Sequence, residues 1–123
     1  MSDTRPSILL VEDDDLLRES FQLLLEHAGY RVLTAGTARV AIDTTRDARP
    51  GLVILDLGLP DRPGLEVVRE LREDPELAGI PVIALTGRAG PAEEKAALDA
   101  GCNRFLAKPV PARSLLEELA ALV

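Results

Sequence analysis

Tryptophan is absent, and the aromatic residues are only Phe21, Tyr30 and Phe105. Stacking platforms for nucleic-acid bases are therefore lacking. Cysteine occurs once, at Cys102, so no intramolecular disulfide can form and nothing points to an oxidising compartment. Positive charge is in deficit: 14 Lys and Arg stand against 21 Asp and Glu, a formal net charge of −7. That balance argues against nucleic acid or an anionic membrane as a direct partner. No apolar run approaches the roughly 20 residues of a membrane span, and residues 1–6 lack the apolar core of a signal peptide. The phosphate-cradling patterns GxxxxGK and GxGxxG are missing as well, which argues against a nucleotide or flavin binder. A cytoplasmic protein without membrane insertion is expected, and its 123 residues are enough for one domain spanning 1–123 with a proper core.

What the chain does have is a series of short apolar runs that end on charge or hydroxyl. The most telling is Leu52-Val53-Ile54-Leu55-Asp56, bounded by Pro50-Gly51 before and Gly58-Leu59-Pro60 after. A run of this length between turn formers reads as a fully buried strand. Residues 8–11 (Ile-Leu-Leu-Val) form a second such run, ending on Glu12-Asp13. Residues 31–34, 80–85 and 104–107 are further strand candidates, the last two ending at Thr86 and Lys108. Between them, helical spacing recurs. Leu17, Phe21, Leu24 and Leu25 share one face, and Asp14 and Asp15 fall in that helix's first turn. Thr37 caps a second helix, Gly64 leads into a third that ends before Pro75, and Pro91 opens a fourth closed by Gly101. Pro111 opens a fifth.

Strand and helix alternate five times, with links too short for another domain. The implied fold class is α/β, a doubly wound five-stranded parallel sheet with five helices on both faces. Residues 8–11 and 52–55, the most uniformly apolar strands, belong in its centre. Parallel strands share one carboxyl edge, where open α/β sheets hold their ligands. That edge collects Glu12, Asp13, Asp56, Thr86 and Lys108. Three converging carboxylates repel one another unless something neutralises them. A hard divalent cation does so, and carboxylate oxygens, a backbone carbonyl and waters suit Mg²⁺. With Lys108 added, such a site is near neutral and can accept a phosphoryl group. Asp56 is then the nucleophile, Lys108 neutralises charge, and Thr86 donates a hydrogen bond to a phosphoryl oxygen.

The segments ILLVED (8–13), LDLGLP (55–60), PVIALT (81–86) and FLAKP (105–109), in this order and at these spacings, resemble the receiver domain of two-component response regulators. The resemblance covers residues 7–123. It implies the flavodoxin-like strand order 2-1-3-4-5, and transfer of a phosphoryl group to Asp56 from the phosphohistidine of a sensor histidine kinase or a histidine phosphotransfer protein. It also implies Glu12 and Asp13 as the acidic pair, with Asp13, Asp56 and the Gly58 carbonyl as ligands of Mg²⁺, for which Mn²⁺ can substitute. Phe105 takes the aromatic switch position beside Thr86, and the downstream protein is expected on the face of helix 4, strand 5 and helix 5. A cis Lys108–Pro109 bond is expected on the same ground. Pro63-Gly64 stands where the family often has Asp-Gly, Asn103 where many DNA-binding relatives have a dimer-contact acid, and Pro111 where a capping acid is common.

Plainer readings are preferred for several residues: a surface role for His27, a core role for Cys102, a solvated helix start for Asp14 and Asp15. An aspartyl-nucleophile phosphatase is the weaker alternative, since the second Asp it wants two residues after the nucleophile is here Gly58. A receiver module of a hybrid histidine kinase or multidomain regulator stays open beside the free-standing one. Such a domain catalyses its own phosphorylation and dephosphorylation, as a switch rather than a turnover enzyme.

Overall fold

A computed structural model describes residues 7–123. Five strands and five helices alternate along the chain: β1 (Ser7–Val11), α1 (Asp15–His27), β2 (Arg31–Ala35), α2 (Ala38–Ala48), β3 (Leu52–Asp56), α3 (Gly64–Glu73), β4 (Val82–Thr86), α4 (Pro91–Ala100), β5 (Arg104–Ala107) and α5 (Ala112–Leu122). The strands pair in parallel in the order β2-β1-β3-β4-β5, as the resemblance implied. The expectation that residues 1–6 hold no signal-peptide core lies outside the described residues. Among the described residues no helix is long and apolar enough to cross a membrane.

Alternation of side chains across the sheet divides the core in two. Leu9, Val11, Val53, Leu55, Val82 and Ala84 pack on one face against α2, α3 and α4. Ile8, Leu10, Leu52, Ile54, Ile83 and Leu85 pack on the other against Phe21 and Leu25 of α1 and Leu115 and Leu119 of α5. Covering both faces explains why β3 and β4 are buried at every position, and β1 from Ile8 onward. Each fully buried Leu or Ile contributes about 2–3 kcal/mol by leaving water. Strands β1 and β3 lie inside the sheet, as their composition indicated.

Several boundaries differ by a residue or two from expectation, and two of them have a clear physical reason. The fourth strand starts at Val82, not at residue 80. Pro81 has no N–H for the ladder, and the Ile80 carbonyl is taken by the Arg72 guanidinium at 2.7 Å. Asp14 lies outside the first turn of α1. It is the N-cap, its carboxylate accepting from the Leu17 amide at 3.0 Å. His27 is exposed in the last turn of α1 and Cys102 is buried, so both plainer readings hold. The Lys108–Pro109 bond is cis.

Candidate functional site

The acidic edge is built by extending the ladder one residue past the strands. Glu12 donates its amide to the Ala35 carbonyl at 3.0 Å, which carries β1 pairing beyond Val11 and fixes the backbone of the acidic pair. The Arg18 guanidinium, from the second turn of α1, donates to the Glu12 carbonyl at 2.8 Å. Glu12 turns inward, 2 % exposed, and its carboxylate accepts from the Asp14 amide. Asp13, next along, points to solvent. At the other side, the Lys108 amide donates to the Thr86 carbonyl at 2.8 Å, so its side chain starts level with the end of β4.

Lys108 Nζ then reaches across the edge to Glu12 Oε1 at 2.7 Å and to Asp56 Oδ2 at 3.1 Å. Asp56 Oδ1 accepts from the Gly58 amide at 3.0 Å, a link that turns the chain sharply after β3. One carboxylate oxygen each from Glu12, Asp13 and Asp56 lies within 4.8 Å of the others. Hard, negatively charged oxygens this close form a donor set that fits a divalent cation of the Mg²⁺ type. Thr86 is buried, with its hydroxyl accepting from the Arg88 amide at 3.0 Å. The structure thus brings Glu12, Asp13, Asp56 and Lys108 together, with Thr86 and Gly58 lining one cavity with Asp56. That cavity, between α3 and α4, has a volume of about 640 Å³.

Protonation in this cluster is uneven. Burial pushes the Asp56 carboxyl upward, but hydrogen bonds from Gly58, Glu12 and Lys108 outweigh it and hold the group below its ordinary value. For Glu12, burial comes first, and with the neighbouring Asp56 carboxylate it raises the carboxyl despite Lys108. Burial works against a charged Lys108, yet its two carboxylate partners raise its pKa overall. Asp56 is therefore the carboxylate kept anionic, and Glu12 the carboxyl that takes a proton first.

Phe105 is half-buried against the α2–α3–α4 core, two residues before the Ala107 that pairs with Thr86. Strand alternation places it on the same face as Thr86. Three polar residues had no role assigned from the sequence. Arg18 grips the acidic loop. Asp61 accepts from the Ala38 and Arg39 amides at the start of α2. Arg72 donates to the carbonyls of Ala78, Ile80 and Gly101 and to Asn103 Oδ1. Asn103 Oδ1 also accepts from the Val82 amide at 2.8 Å, which gives that residue an intramolecular task. Asp61 and Arg72 reach backbone groups more than twenty residues away and Arg18 one six residues back, and no local pattern announces those contacts.

A family model described as the response regulator receiver domain matches residues 8–120. The chain belongs to the receiver domain family of response regulators. The polar-differentiation response regulator DivK of Brucella anthropi is 35% identical over 113 residues, 92% of each chain. The Vibrio cholerae chemotaxis protein CheY4 superposes with a TM-score of 0.92 at 28% identity, covering 98% of this chain and all of that one. The receiver domain of the Pseudomonas aeruginosa sensor histidine kinase PA1611 has a TM-score of 0.89 at 30% identity, covering 97% and 98%, and its structure holds a magnesium ion coordinated in the active-site cleft. This receiver domain therefore belongs to two-component signalling.

Proposed function

We propose that this receiver domain accepts a phosphoryl group on Asp56 from a phosphohistidine, and that the transfer depends on Mg²⁺. One observation carries the reading: Asp56, held anionic, lies 3.1 Å from Lys108 and within 4.8 Å of Glu12 and Asp13 carboxylate oxygens. Asp13, Asp56 and the Gly58 carbonyl would hold the ion, with Glu12 behind them. When bound, the ion supplies positive charge against the phosphoryl oxygens. An Asp56 oxygen attacks phosphorus along the cleft, forming the O–P bond as the P–N bond breaks. The bonding pair leaves with the imidazole nitrogen. Lys108 neutralises the charge gathered on the transferred group, and the Thr86 hydroxyl, released from Arg88, donates to one of its oxygens. No general base is required, because Asp56 is already ionised.

The donor is a sensor histidine kinase or a histidine phosphotransfer protein. We place the output on the face formed by α4, β5 and α5, with Thr86 and Phe105 as its relay. The same chemistry serves a receiver embedded in a hybrid kinase, such as the similar receiver domain of the sensor histidine kinase PA1611, and a free-standing one alike. Incubation with acetyl phosphate and Mg²⁺ should add one phosphoryl mass, stable in acid and lost to hydroxylamine. Asp56→Asn should abolish the label. Stoichiometric labelling retained in that variant would overturn the assignment.

A further inference from the structure

The loop at 57–63 leaves β3 carrying Gly58 and returns as α3. Its base is closed by the Gly64 amide, which donates to the Leu57 carbonyl at 3.0 Å. Gly64 is needed there, since a Cβ would fall 2.7 Å from Leu57 Cα and 3.0 Å from the Asp56 carbonyl. The far end of the loop is held quite differently. Asp61 Oδ1 accepts from the Ala38 amide at 2.8 Å and Asp61 Oδ2 from the Arg39 amide at 3.1 Å, across 23 and 22 residues of sequence. Its neighbour Arg62 leans the other way, toward Glu66 and Glu70 of α3.

Helix α2 does not depend on this help to begin. Thr37 already caps it, accepting from the Val40 amide, and α3, α4 and α5 start with no side-chain cap at all. The two bonds therefore do more for the loop than for the helix. Each pairs an anion with an amide at a helix N-terminus, the stronger class of hydrogen bond. The Ala38 amide, ahead of Arg39, keeps the Asp61 carboxyl below its ordinary value, so the anchor is charged at neutral pH. Pro60 and Pro63 stiffen the backbone on either side of it. Gly58 lies between the closed base and this anchored tip.

We propose that Asp61 is a positioning residue for the site, tying the loop that carries the Gly58 carbonyl to the first turn of α2. The inference rests on the proposed metal ligation by that carbonyl. Loosening the tip frees Gly58 to wander, so affinity for the ion falls. Linkage then runs in both directions: filling the site should strengthen the bonds from the Ala38 and Arg39 amides to Asp61.

Amide-resolved NMR titration with Mg²⁺ alone tests this on the wild type, Asp61→Ala, Asp61→Asn and Thr37→Ala. Asp61→Ala should weaken Mg²⁺ about 5- to 10-fold, the lower end of what outer-shell partners of a metal site deliver. Asp61→Asn keeps one acceptor oxygen and should fall between it and the wild type. Thr37→Ala loosens α2 alone and should stay within about twofold, since it touches no partner of the site. In the wild type the Ala38 and Arg39 resonances should shift with Mg²⁺, and in Asp61→Ala they should not. Without metal, Gly58 should exchange its amide proton faster in Asp61→Ala. If Asp61→Ala binds Mg²⁺ like the wild type, Asp61 is a helix cap and the inference is overturned while the metal site stands. If Thr37→Ala weakens Mg²⁺ as much, the effect belongs to α2 and the inference also fails. If the wild type takes no Mg²⁺, the proposed metal reading falls first and this inference with it.

Discussion

Helices α3 and α4 are neighbours on the same face of the sheet and each has ten residues. They are held very differently. Helix α3 buries Gly64, Val67, Val68 and Leu71, and at its far end Arg72 pins it to the turn before β4 and the turn after α4. Helix α4 buries Ala97 alone and leaves Leu98 half in water. In the loop before it, among the described residues, the Thr86 hydroxyl bonds only to Arg88, two residues on. One flank of the cleft is a fixed wall and the other a lightly held one. Local stability is distributed this way where a surface must change.

The largest test of that contrast substitutes one leucine in each helix. Leu71→Ala should cost about 3 kcal/mol by chemical denaturation, as a buried truncation does, and Leu98→Ala no more than about 0.5 kcal/mol. Comparable losses would erase the difference between the two helices. Next in size is Arg72→Ala, which strips partners from three carbonyls and from Asn103. It should cost about 2 kcal/mol, in the range for hydrogen bonds to a charged group. A loss no larger than that of an exposed ion pair would mean the pin does not hold. The finest test moves stability not at all. Burial raises the Cys102 thiol, just past α4, from 9.0 to about 11. A raised thiol pKa means less thiolate and burial shields the sulfur as well, so at pH 8 the folded protein should be alkylated at least about 100-fold more slowly than the unfolded chain. Rapid native-state alkylation would show that α4 and the turn behind it open together.

The fold was legible because each strand is a short apolar run and each helix has its own period. The five edge positions, Glu12, Asp13, Asp56, Thr86 and Lys108, were legible because they end the strands or follow them at once, where alternation of β and α fixes the edge. Gly58 and Phe105 became candidates only through the family resemblance. Asp61, Arg72 and Arg18 were not legible. Their partners are main-chain groups, which look alike in every sequence, and Asp61 and Arg72 span more than twenty residues to meet them. Asn103 was read by family position, as standing where many DNA-binding relatives have a dimer-contact acid. Its side chain is spent within the domain, on Val82 and Arg72. The start of β4 was missed because the Ile80 carbonyl is spent on Arg72 and Pro81 has no N–H to donate, although its carbonyl still accepts from the Val53 amide of β3.

The division of the core by the sheet has one further consequence. Thr86 and Phe105 belong to the compartment of α2, α3 and α4, while α5 belongs to the compartment of α1, and β5 is the partition's outer margin. A rearrangement at Thr86 reaches α4 directly, through space, whereas α5 feels it only through the strand between them. The proposed output face should therefore deform lopsidedly, one helix shifting against another that serves as its fixed reference. A partner gripping both would read their offset, much as a vernier reads the slip between two scales.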